Sequence, residues 1–176
     1  MEGAAANSVL TDREQVFARL TDAQLDAAYR LATVILGNRA EAEDATHDAA
    51  VRAWERFGEL RDPARFEAWF GRILVNGCRD RLRTRHVRPI PLTDPPSRPV
   101  GDPSAEVVDA DVLTRAILSL TPEHRTVIAL HYLMDCAIEE IAHRTGERTG
   151  TVKSRLHYAL RSLRAAYDAG EREVRR

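Results

Sequence analysis

Six of the chain's eight prolines fall in one stretch, RPIPLTDPPSRPVGDP, from Arg88 to Pro103. Each proline lacks an amide N–H and fixes its own φ, so the stretch supports neither a helix interior nor a central strand. It reads as an extended linker. Both flanking sequences carry apolar residues at helical spacing, each enough for a small bundle, and no repeat relates them. The expected fold is therefore all-α, two small helical domains on a Pro-rich tether. The boundaries follow: a flexible N-terminus over 1–20, a first domain over 21–87, a linker over 88–110, a second domain over 111–166, and a tail over 167–176.

Composition suits a folded, soluble chain, with 44% hydrophobic and 30% charged residues. The net charge of −1 gives no bulk signal for nucleic acid. The distribution does. Arg72, Arg79, Arg81, Arg83, Arg85 and Arg88 face a single acid, Asp80, whereas Glu41 to Asp48 is acidic. Cys78 and Cys136 lie far apart and form no C-x-x-C, so they read as buried apolar thiols. The start MEGAAANSVL lacks the basic and apolar regions of a signal peptide, and no apolar run approaches a membrane span. A cytoplasmic protein is expected.

In the first domain, Thr21 with Gln24 reads as a capping box opening a helix with Leu25, Ala28, Tyr29, Ala32 and Leu36 inward and Gly37 as its stop. Asn38 with Glu41 caps a second helix running to about Phe57. Asp62–Pro63 starts a third, with proline at its first position. That helix turns Phe66, Trp69, Phe70, Ile73, Leu74 and Gly77 to one side. A polar stripe of Arg65, Arg72, Asn76, Arg79 and Arg83 runs beside them. The residues before Thr11 are expected to be disordered.

In the second domain, Asp111 to Leu118 reads as a helix, and Thr121–Pro122 opens another with Val127, Leu130 and Met134 at helical spacing. Ile138 to Thr145 is a short helix ended by Gly146, and GTVKSRLHYALRSLR follows after a tight turn. Its Val152, Leu156, Ala159, Leu160 and Leu163 share one side, suited to dock on Val127, Leu130 and Ile141. Gly150, Thr151, Ser154, His157, Tyr158 and Arg161 lie opposite, with Lys153 and Arg155 on the flanks. Alone, this is a DNA reader, a helix for an acidic surface, or a plain surface helix with a solvated basic face. A short helix, a Gly-containing turn and a basic amphipathic helix match the helix-turn-helix pattern.

Two long stretches then resemble one family, the extracytoplasmic-function sigma factors of bacterial RNA polymerase. The first is YRLATVILGNRAEAEDATHDAAVRAWERF with RFEAWFGRILVNGCRDRLRTR. The second is LTPEHRTVIALHYLMDCAIEEIAHRTG with GTVKSRLHYALRSLR. The resemblance implies that the helix around Asp44, His47, Asp48, Val51, Arg52 and Glu55 docks on the clamp of core RNA polymerase. It implies that the loop and third helix, with Arg61, Arg65, Arg72, Asn76, Arg79 and Arg83, capture and melt the −10 promoter element. Arg148, Thr149, Thr151, Lys153, Ser154, Arg155, His157 and Arg161 fall in the part that reads the −35 element. Promoter DNA and core polymerase are thus the implied partners; family members are commonly held by an anti-sigma factor.

The chain departs from the family pattern at several positions. His47 stands where the clamp-binding segment usually has Gln, and Ala50 where it has an aromatic. Glu147 replaces an apolar residue after Gly146, and Ala137 a capping Ser, leaving Asp135 as the alternative cap. The competing functions are a helix-turn-helix regulator that is not a polymerase subunit, and an interaction protein using its acidic helix. An enzyme is not expected. The histidines at 47, 86, 124, 131, 143 and 157 show no metal-binding spacing, and no phosphate-binding Gly-rich loop occurs, so neither catalytic residues nor a metal or cofactor is assigned.

Overall fold

The first helix begins before the residue expected to cap it. In a computed structural model, which describes residues 12–87 and 105–174 (side chains over 12–84 and 110–174), α1 runs unbroken over Asp12–Leu36. Thr21 lies in its middle, only 6% exposed, with its buried hydroxyl lacking a hydrogen-bond partner. The capping-box reading is therefore corrected: a Thr-x-x-Gln spacing also arises inside a helix when tertiary packing covers the threonine. Within the stretch expected to be flexible, Phe17 meets Trp54, Phe57 and Phe66 edge-on, with ring centroids 5.1 to 6.0 Å apart. Arg13 lies over the Trp54 ring. This aromatic cluster packs the N-terminal turns of α1 against the rest of the bundle. Residues 1–11 and the prolines of the tether lie outside the described residues.

Other stop and start signals act as their chemistry dictates. Gly37 takes φ +70°, a left-handed conformation that ends α1, and its N–H donates to the Thr33 carbonyl at 2.8 Å. Asn38 caps α2 (Arg39–Arg56) by accepting from the Glu41 N–H at 2.9 Å. Short 3-10 turns cover Phe57–Glu59 and Pro63–Arg65, the latter capped by Asp62 through the Ala64 N–H. Then α3 spans Phe66–Val87. The buried side of α2 is Ala42, Ala45, Ala49 and Ala53, small residues that let α1 and α3 approach closely. From α3, Phe66, Phe70, Ile73, Leu74, Val75, Cys78 and Leu82 fill the core. The aromatics therefore pack inside, as their position on the apolar side implied. Tyr29 and Leu160 are the exceptions: both were expected inward and both are exposed.

The second half contributes α4 (Ala105–Ser119), α5 (Pro122–Tyr132), α6 (Ile138–Thr145) and α7 (Thr149–Val174). Thr121 caps α5 through the His124 N–H, with proline at the first turn. Helix α4 starts inside the stretch assigned to the linker, and α7 continues through the residues assigned to a tail. The continuation has a partner: α4 packs along α7, with Val112 against Gly170. No described residue lies in a strand, and no described helix is long and apolar enough to cross a membrane.

The two halves also pack on each other, α1 against α5 and α3 against α6, in one contiguous core from Ala28 to Ala159. Two glycines make this contact possible. A Cβ at Gly37 would stand 2.8 Å from Nη1 of Arg125, and one at Gly71 2.6 Å from Nη1 of Arg144. Each arginine lies across backbone that carries no side chain.

Truncating Phe66, which stacks on Phe70 with centroids 5.6 Å apart, removes the centre of the aromatic cluster. Phe66→Ala is expected to cost about 3–5 kcal/mol in a urea unfolding titration followed by circular dichroism.

Candidate nucleic-acid interface

The turn between α6 and α7 fixes what α7 presents. Ala137 is the N-cap of α6 and offers no side-chain bond, while Asp135 takes φ +49° in the preceding loop. Asp135 thus shapes the loop and does not replace the missing cap. At the other end Gly146, φ +72°, closes α6, and the Glu147 N–H donates back to the Ala142 carbonyl at 3.0 Å. The chain then enters α7 with Val152, Leu156 and Ala159 buried against α5 and α6. On the outward side Thr151, Lys153, Ser154, His157 and Arg161 are exposed, as is Arg148 in the turn; Thr149 is half-buried. The Ser154 hydroxyl donates to the Gly150 carbonyl at 3.0 Å.

Tyr158 belongs with this exposed row although it was given no role from sequence. It is 57% exposed, and its ring meets that of His157 edge-on at 5.6 Å. Its place opposite the apolar side was the signal that marked it. Arg155 differs from its neighbours. It is half-buried and ion-paired with Glu147.

On α3 the stripe forms as the helical spacing requires: Arg72, Asn76, Arg79 and Arg83 are all exposed, as are Arg65 in the 3-10 turn before the helix and Arg61 in the preceding loop. Arg65 lies 3.8 Å from Asp62, and Arg83 3.1 Å from Asp80. Arg79 leaves the row. It donates to the Thr145 carbonyl of α6 and lies 3.4 Å from Glu147. A cleft of about 680 Å³ runs beside this contact, lined by Asn76, Arg79 and Arg83 on one wall and Thr126, Glu147 and Arg155 on the other.

The α2 set occupies a separate surface. Asp44, His47, Val51, Arg52 and Glu55 are exposed along one side of the helix, and Val51 leaves 44% of an apolar side chain in solvent. Asp48 is not free, because Arg81 pairs with it at 2.5 Å across the groove to α3. Ala50 packs half-buried at the edge of the core. The structure therefore joins the α3 and α7 sets through Arg79, Glu147 and Arg155, and leaves the α2 set apart.

Among the described residues no group of His, Cys, Asp and Glu side chains has the arrangement of a metal site. Cys78 and Cys136 are free and buried. Burial pushes the Cys78 thiol up from 9.0 to about 12, against the opposing charge of Arg81. Burial likewise pushes Cys136 up to about 11, against Arg144. Neither is suited to nucleophilic chemistry at neutral pH.

Sigma-70 region 2 matches residues 20–87, and Sigma-70 region 4 matches residues 116–165. The chain is also 34% identical over 152 residues to the ECF RNA polymerase sigma factor SigL of Mycobacterium tuberculosis, covering 82% of this chain and 85% of that one. The chain belongs to the ECF sigma factors of RNA polymerase. The RNA polymerase sigma-E factor of Streptomyces coelicolor is 29% identical over 150 residues, 85% of either chain. Among solved structures, the sigma factor RpoE of Bartonella quintana, in complex with the anti-sigma factor NepR, superposes with a TM-score of 0.71 at 23% identity, over 86% of this chain and 96% of that one. CnrH, in complex with the cytosolic domain of CnrY, superposes with a TM-score of 0.64 at 25% identity, over 87% of this chain and 88% of that one. As an ECF sigma factor the protein serves promoter-specific transcription initiation by RNA polymerase. A helix-turn-helix regulator would leave the region 2 match unexplained.

The raised thiols set the sign of one pH effect. The unfolded chain loses these protons near pH 9, before the folded chain does, so their contribution is complete below 9 and is lost as pH rises towards 11–12. Urea midpoints are expected to fall steadily above pH 9. At pH 8 a thiol reagent is expected to label neither cysteine until urea unfolds the chain.

Proposed function

We propose that three surfaces divide the work of this sigma factor. The exposed side of α2, with Asp44, His47, Asp48, Val51, Arg52 and Glu55, docks on core RNA polymerase. The loop before α3 and its exposed stripe, Arg61, Arg65, Arg72, Asn76, Arg79 and Arg83, hold the −10 element. There the arginines neutralise the backbone of a separated strand, and Asn76 offers a donor and an acceptor to a base edge. The helix-turn-helix reads the −35 element, with Arg148, Lys153, Arg155 and Arg161 on phosphates and Thr149, Thr151, Ser154 and His157 near base edges. Residues 21–87 and 111–166 are the two working units of this division.

One observation supports the reading above all. Two chemically matched polar rows, on α3 and α7, stand on the solvent side of helices whose opposite sides carry buried core residues, and they fall within the region 2 and region 4 matches. The acidic stretch of α2 stays outside both rows, as a protein-docking surface would. A protein that sequesters the factor is a further partner to expect, since CnrH, of the same fold, was solved with the cytosolic domain of CnrY.

Run-off transcription with purified core polymerase is the test. The chain is expected to confer specific starts on a promoter library, and footprinting of duplex DNA by the bare chain without any initiation would favour a regulator instead. Val51→Glu places a charge in the middle of the α2 surface without touching the core. It is expected to weaken polymerase binding by about tenfold or more in a pull-down titration, from the loss of a desolvated apolar contact. Lys153→Ala is expected to lower the salt slope of −35 duplex binding by about one, because one fewer counterion is released.

A further inference from the structure

The first turns of α1 reach the loop proposed to hold the −10 element. Region 2 matches from residue 20, so Arg13 and Phe17 stand outside that match. Phe17 meets Phe57 and Phe66 edge-on, with ring centroids 5.1 and 6.0 Å apart, and these are the residues where the loop leaves α2 and enters α3. One turn earlier on α1, Arg13 is exposed, with its guanidinium carbon 5.1 Å from the centre of the Trp54 ring. A Cβ placed at Gly58, in the first 3-10 turn of the loop, would stand 3.9 Å from its Nη2. The loop's own acids are engaged by neighbouring arginines: Glu59 accepts from Arg56 at 2.8 Å, and Asp62 lies 3.8 Å from Arg65. Arg13 has no carboxylate partner among the described residues.

We propose that Arg13 is a further contact for the separated −10 strand, a phosphate-binding cation supplied by the N-terminal end of α1. The inference rests on the −10 reading of the loop and adds a residue that the region 2 match does not contain. Three features suit Arg13 to that role. No carboxylate pairs with it, so a phosphate meets no competitor. Stacking on Trp54 holds the guanidinium plane and leaves its N–H groups in water, so less side-chain freedom is lost when a phosphate binds. Gly58 contributes no side chain that would screen it. Because Phe17 packs on both ends of the loop, Arg13 also keeps its place relative to Arg61 and Arg65 of the same segment. The −10 grip then takes cations from three places: the loop, α3 and the start of α1.

The test uses holoenzyme assembled from the full chain and core polymerase. Its probe is a fluorescent single strand spanning the −10 element of a promoter recovered by run-off transcription. Arg13→Met keeps an unbranched stem on Trp54 and removes the charge; Arg13→Lys keeps the charge. Arg13→Met is expected to weaken binding of the strand and to lower its salt slope by about 0.7, the value of one single-strand phosphate contact. Arg13→Lys is expected to keep the wild-type slope. Urea midpoint and affinity for core polymerase are expected to stay near those of wild type in both variants. A wild-type slope in Arg13→Met overturns the inference, whether or not the urea midpoint falls. A loss confined to polymerase affinity also overturns it, by placing Arg13 against protein. Arg72→Ala, measured in parallel, separates the two ideas. A lowered slope in Arg72→Ala beside a wild-type slope in Arg13→Met rejects Arg13 alone. Wild-type holoenzyme that binds this strand no better than a scrambled one rejects the −10 reading, and the Arg13 contact with it.

Discussion

A guanidinium with almost no exposed surface lies between α3 and α6, and the placement of the second domain depends on it. In the interior, Glu140, one turn earlier on the same helix, accepts two of the Arg144 N–H groups, and Glu67 approaches from α3. Only the arginine is desolvated: the side chains of Glu140 and Glu67 stay 39% and 54% exposed. The guanidinium fits only because Gly71 presents bare helix backbone. One of its nitrogens, Nη1, has no hydrogen-bond partner, so the contact is serviceable without being optimal. The apolar residues of the same contact, in the contiguous core, surround this polar one.

The same logic explains Glu147. In sequence it is an anomaly, an acid in a turn where this family usually packs an apolar residue. In the structure it is a shared acceptor for Arg79 and Arg155, from the two rows proposed to meet DNA. Asp48 shows the pattern at smaller scale: an acidic residue of the proposed polymerase surface is held by Arg81 across the groove between α2 and α3.

Much of the fold was legible locally. Asn38, Asp62 and Thr121 each accept a backbone N–H at the helix start they signalled, and Gly37 and Gly146 adopt the left-handed conformation that their positions required. The reading failed where packing, not local chemistry, sets the outcome. Thr21 mimicked a cap because nothing in a four-residue pattern reports that Phe17, four residues earlier, joins an aromatic cluster with Trp54 and Phe66. The extension of α7 to Val174 escaped notice for the same reason: its support is α4, some sixty residues away in sequence. In the candidate site, the rows on α3 and α7 were legible because a helix converts spacing into a surface. Tyr158 was visible in its row and unassigned. The engagement of Arg79 and Arg155 was invisible, since no pattern along the chain relates residue 79 to residue 147.

By itself, then, the sequence determined the helices, most of their ends, the direction in which each polar row points, and the family. These follow from interactions within a few residues, namely capping bonds, proline's missing donor, glycine's access to positive φ and the 3.6-residue period. Only the tertiary structure decided that the two tethered units close on one another, and that they do so over Gly37 and Gly71 by way of Arg125 and Arg144. The physical reason is that a buried charge or an ion pair between distant helices depends on three-dimensional proximity and desolvation, and neither is written in the spacing of residues along the chain.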